Sequence, residues 1–250
     1  MRSVDFNCDL GEGCGDDAAI VPSISSASIA CGMHAGDPSA MQAAVALCLQ
    51  HGVAIGAHPG YPDRAGFGRA VMAMEPAAVH ALVLYQVGAL AAIAAAQGAT
   101  LHHVKPHGAL YNRAAIDAAV ADAIAGAVHA YDPRLRLYAL AGSTLVHAGR
   151  AAGLSVLEEA FAERRYEADG TLTPRDRADA VIDDVDIAAH QVAGMLHAGS
   201  VTARSGERVP LRADTICLHG DRPHAAWFAA RLRSAIESAG FAVRAPGASR

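Results

Sequence analysis

Short runs of strand-type residues alternate with longer runs of helical periodicity along the whole chain. That pattern fits a parallel sheet whose strands are joined by crossover helices. Residues 4–10, 27–31, 53–57, 100–104, 135–140, 154–157 and 214–218 read as seven strands. Helices are predicted over 38–52, 76–98, about 116–131, 143–152, 179–197 and 225–239. Pro38 suits the first turn of a helix capped by Asp37, and Gly52 suits the left-handed position that closes one. Residues 201–211, with Ser205-Gly206 between two strand-like runs, read as a hairpin excursion. No linker, low-complexity segment or matching repeat interrupts the series, so residues 1–250 read as one domain. Seven strand–helix units in 250 residues match an α/β barrel of (β/α)₈ type or a variant with fewer strands. An open doubly wound sheet is the alternative.

Composition narrows the classes of function. A net charge of −5 gives no basic footprint, which argues against nucleic acid as a partner. Five cysteines, odd in number and without a Cys-x-x-Cys pair, read as reduced thiols of a cytoplasmic protein. Asp5 and Asp9 interrupt any apolar stretch at the start, so no secretory pattern is present. From Pro76 to Val104 there is no charged residue, a length sufficient to span a bilayer. Its alanine content, His80, Gln86, Gln97 and the break at Gly98 fit a helix packed on a sheet better, so no membrane is expected.

In either fold, chemistry sits where the carboxyl ends of strands feed the following loops. Six of the seven predicted strand ends carry acids or bases. Asp9 and Glu12 follow the first, His34 and Asp37 the second, His58 the third, Lys105 and His107 the fourth, Glu158 and Glu159 the sixth, and His219 and Asp221 the seventh. A barrel would converge these ends on one mouth, a setting for acid–base work on a small polar substrate. Simpler roles compete. Asp37 caps a helix, Glu12 suits a solvated loop, and His58 before Pro59 suits a packed imidazole. Glu158 and Glu159 cannot both face the mouth, because successive strand side chains point to opposite faces. Lys105 is the single lysine among twenty basic residues. Lysine is a compact charge on a flexible stem, so its retention in an arginine-rich chain marks a position a guanidinium does not suit.

His34, His58, His107 and His219 with Asp9 or Asp37 could form a His/carboxylate metal site, although no His-x-x-x-His or His-x-Glu spacing supports one. Lys105 lies in no Walker-type phosphate loop, Gly11-Glu12-Gly13-Cys14-Gly15 opens no dinucleotide fingerprint, and no Gly-x-Ser-x-Gly elbow occurs.

Several longer motifs resemble those of the LamB/YcsF family. They are Asn7-Cys8-Asp9-Leu10-Gly11-Glu12, residues 29–38, Ile55-Gly56-Ala57-His58-Pro59, residues 105–112, residues 159–166 and His219-Gly220-Asp221. The likeness runs in order over nearly the whole chain, departing at Met33 and Gly60, where it implies phenylalanine and serine. It implies a distorted (β/α) barrel related to carbohydrate deacetylases. It also implies the A component of a prokaryotic ATP-dependent 5-oxoprolinase, which opens 5-oxo-L-proline to L-glutamate alongside subunits B and C. Asp9, Glu12, His34, Asp37, His58, Lys105, His107, His219 and Asp221 are the candidate catalytic residues. In that reading Lys105 neutralises a phosphoryl or lactam oxygen, His107 or His219 moves protons, and Asp9 with Glu12 orients water or a divalent metal. ATP enters by resemblance alone. A metal-dependent deacetylase or amidohydrolase, or a chain that only binds its ligand for a partner, are the competing readings.

Overall fold

The computed structural model describes residues 2–221 and 224–247. Seven parallel strands close on themselves: β1 (Arg2–Leu10), β2 (Ser26–Ala30), β3 (Ala54–His58), β4 (His103–Val104), β5 (Arg136–Leu140), β6 (Ser155–Phe161) and β9 (Thr215–Leu218). β9 pairs with β6 on one side and with β1 on the other, which closes the barrel and rules out the open sheet. The expected hairpin lies between β6 and β9 as antiparallel β7 (Ser200–Thr202) and β8 (Arg208–Pro210). A short β10 (Phe241–Val243), not foreseen in the sequence, adds in parallel to the first residues of β1. The barrel is distorted, since β4 keeps only two residues in register.

Eight helices alternate with the strands among the described residues: α1 (Asp17–Ile20), α2 (Pro38–His51), α3 (Pro76–Ala96), α4 (Gly108–Ala114), α5 (Ala118–Tyr131), α6 (Thr144–Ala151), α7 (Val185–Ala198) and α8 (Ala225–Ser238). Two boundaries differ from the periodicity. The short α4, which buries Leu110 and Tyr111, precedes α5 and is separated from it by the Asp117 cap. α7 starts six residues later than its pattern suggests, where Asp184 accepts hydrogen bonds from Asp186 N and Ile187 N. The residues before it, 162–184, form an irregular excursion held by bridges between Arg164 and Val181 and between Tyr166 and Leu172.

α3 is long and apolar enough to cross a bilayer, yet in the structure it lies along α5 and α2. It buries Val79, Val83, Val87, Leu90 and Ala94, each fully buried aliphatic side chain contributing roughly 1.5–3 kcal/mol. Gln86 on the same face is fully buried, and its amide bonds both the N–H and the carbonyl of Gly60.

What positions the site is the alternation within β1. Val4, Phe6, Cys8 and Leu10 join the hydrophobic core. The intervening Asp5, Asn7 and Asp9 take the lumen face, where Asp5 and Asn7 bond Thr215 of the neighbouring β9 and Asp9 reaches across to Lys105 after β4. Branched aliphatic side chains usually fill such a lumen; here its floor is polar. Asp5 accepts from Ser25 Oγ at 2.6 Å, Ser26 Oγ at 2.7 Å and Thr215 Oγ1 at 2.7 Å. Beside it the His103 ring stacks on Tyr138, with centroids 4.0 Å apart, and meets Ser28 Oγ at 3.2 Å. Gly56 leaves room for that ring, because a Cβ there would collide with it.

Candidate active site

Lys105, directly after β4, sits at the centre of the mouth and is buried. Its ammonium lies 2.6 Å from Asp9 Oδ1, 2.9 Å from Asn7 Oδ1, 3.2 Å from Glu159 Oε1 and 3.2 Å from Cys217 Sγ. Burial works against the charged form, but Asp9 and Glu159 more than offset it, and the Lys105 pKa is held well above its ordinary value. Burial likewise pushes the Asp9 carboxyl up, while His58 and Lys105 bring it well below the usual carboxylate range. An ammonium has three protons, and all are engaged by protein acceptors. The expected donation from Lys105 to a substrate oxygen therefore has no free N–H in this state, and the lysine instead holds two buried carboxylates together.

Glu159 is the inward-facing member of its pair, taking hydrogen bonds from Asn7 Nδ2 at 2.9 Å and Tyr111 Oη at 2.7 Å. Glu158 points to the outer side, where Arg150 and the Gly142 N–H hold it. Burial, then the neighbouring Glu159, raises the Tyr111 phenol well above its ordinary value.

Beside the lysine, Glu12 Oε1 faces three imidazole nitrogens. It lies 3.2 Å from His34 Nε2, 3.3 Å from His107 Nδ1 and 3.8 Å from His58 Nε2. The other ring nitrogens fix the tautomers. His58 Nδ1 donates to the Lys105 carbonyl at 2.7 Å, and His107 Nε2 donates to the Phe67 carbonyl at 2.8 Å. With those N–H groups aimed away, His58 Nε2 and His107 Nδ1 turn acceptor lone pairs on each other at 2.9 Å, and Asp9 Oδ2 lies 3.3 Å from the former. His34 stacks flat on His107 with centroids 3.8 Å apart, and its Nδ1 is buried without a hydrogen-bond partner among the described residues. Burial lowers the pKa of both His34 and His107. Gly68 permits this crowding: its φ is +66°, and a Cβ there would lie 2.7 Å from His34 Cβ and 2.8 Å from His107 Cδ2.

Across the mouth, Glu163 Oε1 accepts from His219 Nδ1 at 2.5 Å, while the other carboxylate oxygen has no partner among the described residues. Burial would raise the Glu163 pKa, but His219 brings it below its ordinary value. The contact assigns the His219 proton to Nδ1 and leaves Nε2 as the acceptor nitrogen. Arg164 is buried and donates to the Thr173 and Ala180 carbonyls, and no carboxylate pairs with it among the described residues. Burial and the nearby Arg175 lower its pKa to about 10.

These groups border one cavity of about 250 Å³. Of the candidates, Asp9, Glu12, His58, Lys105, His107 and His219 line it. His34 lies behind His107. Asp37 does not reach the mouth: it caps α2 by accepting from Ala40 N in an exposed contact. Asp221 stands at the rim, paired with Arg69. Sequence reasoning did not select Asn7, Tyr111, Glu163 or Arg164, and left open which of Glu158 and Glu159 faces inward. The polar–apolar alternation of residues 4–10 signals Asn7, and the charge-dense run 158–165 signals Glu163 and Arg164.

Known proteins are similar to this chain over nearly its whole length. The model of the LamB/YcsF family matches residues 4–249. A 5-oxoprolinase component of Bordetella pertussis, designated A, is 54% identical over 97% of this chain and 98% of its own. A protein of the same name from Geobacillus kaustophilus is 53% identical over 98% of both chains. The crystal structure of a lactam utilization protein from Thermus thermophilus superposes with a TM-score of 0.91 at 48% identity, over 98% of this chain and 100% of that one. Family match, relatives and superposed barrel agree, and the chain belongs to the LamB/YcsF family.

Proposed function

We propose that this chain is a hydrolase, the A component of an ATP-dependent 5-oxoprolinase that opens the 5-oxo-L-proline lactam to L-glutamate together with subunits B and C. The observation that carries the reading is a small cavity with a carboxylate-held imidazole on one wall and, nearby, a buried guanidinium that no carboxylate among the described residues pairs with. At about 250 Å³ it is smaller than the roughly 300–1,000 Å³ that accommodates drug-sized ligands, and suits a single five-membered ring. Arg164 supplies the charge for the ring's carboxylate. The five unpaired cysteines suit the reducing cytoplasm in which we place the chain.

A lactam carbonyl is a poor electrophile, and transfer of a phosphoryl group from ATP to its oxygen would activate the carbon. Water then adds to that carbon, giving a proton to His219 Nε2, and the ring C–N bond breaks with the proton returned to the departing nitrogen. A second water releases phosphate, so ATP and two waters yield glutamate, ADP and phosphate. Glu163 keeps the His219 tautomer, and His58 with the Lys105 charge keeps Asp9 ionised. The test is glutamate release from 5-oxoproline with ATP, with and without the two partner subunits. Release only in the complete mixture is expected; release without ATP would sink the reading. The imidazole–carboxylate cluster favours one alternative, a metal-dependent amidohydrolase, which predicts turnover that needs no ATP and stops on chelation.

A further inference from the structure

The cluster around Glu12 has too few protons for its acceptors. Backbone carbonyls draw the N–H of His58 and of His107 away from the cavity, so two lone pairs oppose each other at 2.9 Å with carboxylate oxygens of Glu12 and Asp9 beside them. Something positive must lie between these atoms, either an added proton or a metal ion. Carbonyls that fix the tautomers of metal-binding imidazoles are the usual outer support of such sites. The spacing also admits a metal: two ligands each about 2.1 Å from a tetrahedral ion lie about 3.4 Å apart, so the 2.9 Å between His58 Nε2 and His107 Nδ1, itself a hydrogen-bond length, would widen by about 0.5 Å around the ion. The Glu12 Oε1 distances to the three imidazole nitrogens run from 3.2 to 3.8 Å, and all four atoms lie within 4.8 Å of one another.

We infer that Glu12 Oε1, His34 Nε2, His58 Nε2 and His107 Nδ1 bind a divalent transition-metal cation of the zinc class. Nitrogen and oxygen donors of this kind suit zinc, iron or nickel rather than calcium or magnesium. The order of ligands along the chain, one after each of the first four barrel strands, explains why no local spacing revealed the site. Lys105, immediately beside the cluster, offsets the charge of Asp9 and Glu159 and leaves Glu12 to face the ion.

The inference concerns the same cavity as the proposed lactam opening but is tested on the folded chain without substrate, ATP or partners, so either can fail alone. Chelator-stripped protein is titrated with zinc chloride by calorimetry, and with cobalt(II) followed by its visible d–d absorption. One equivalent is expected to bind, with His58→Gln and His107→Gln each weakening binding by roughly 100-fold or more. Asp37→Asn, which alters only a helix cap, should bind normally. X-ray absorption of the zinc-loaded wild type is the reading that needs no variant to fold. Imidazole scattering without sulfur supports the site, whereas a sulfur ligand would move the ion to the neighbouring Asp9, Cys217 and His219 group and overturn it. Absence of binding to the folded wild type, or binding indifferent to both histidine variants, overturns it as well and leaves a shared proton between the rings.

Discussion

The floor and the mouth of the barrel are both polar, but they are polar in different ways. On the floor, Asp5 takes hydroxyl donors from Ser25, Ser26 and Thr215, and His103 stacks on Tyr138. At the mouth, two imidazole acceptors oppose each other and, among the described residues, His34 Nδ1 and Glu163 Oε2 are buried without partners and Arg164 has no carboxylate. Buried polar groups are nearly always satisfied, and a local cluster of exceptions marks a place where something else is to bind. The floor shapes the barrel; the mouth waits for chemistry.

The largest effect that distinguishes the two layers should come from Lys105→Met. It strands Asp9 and Glu159 as uncompensated buried carboxylates, so we expect a stability loss of about 3–5 kcal/mol in chemical denaturation, along with loss of turnover. The enclosed geometry makes the lysine structural, beyond the charge-neutralising role expected from the sequence. A variant as stable as the wild type would break the picture of a charge-locked mouth.

Glu163→Gln should lower kcat by roughly 100-fold through a misplaced His219, with KM little changed and the melting temperature close to that of the wild type. A matching rise in KM would show that Glu163 serves binding instead. Arg164→Gln should do the reverse, raising KM about 10- to 100-fold, the equivalent of one charge-assisted hydrogen bond of about 1.5–3 kcal/mol. Asp5→Asn tests the floor: a loss of roughly 1–3 kcal/mol in stability is expected, with kcat/KM per folded molecule unchanged. An altered kcat/KM there would merge the two layers.

The smallest effect is pH dependence from the floor. Burial holds His103 well below its ordinary value, so the folded chain refuses a proton that the unfolded chain accepts. Above about pH 6.5 neither state is protonated and the residue contributes nothing; below it, stability falls by about 1.4 kcal/mol per pH unit for this group. His103→Gln should flatten that slope in melts between neutral and mildly acidic pH.

Much of this was legible from one sequence. The order of strands and helices follows from periodicity, and parallel strands must bring their carboxyl ends to one side, which places Asp9, His58, Lys105 and His219 together. Parity within β6 correctly separates Glu159 from Glu158. Closure is read from the count of strand–helix units and from the family resemblance, because strand pairing over long separations leaves no local pattern. The excursion before α7 was hidden for a related reason: residues 162–184 have no periodicity, yet they carry Glu163 and Arg164 to the mouth. Asp37 misled because a helix cap and a catalytic acid look alike at a strand end.

The pairing of β1 with β9 also sets an order of events in time. Asp5 meets Thr215 and Asn7 meets Cys217 only after more than two hundred residues of chain have been made. Until then Asp5 has the Ser25 and Ser26 hydroxyls but not Thr215, and Asn7 lacks Thr215 as well, so an early, dry collapse of the first strands is disfavoured. The last barrel strand therefore acts as a latch, completing the lumen's hydrogen bonds and closing the barrel together. Such a chain should fold slowly and late, with the active-site mouth the final part to become rigid.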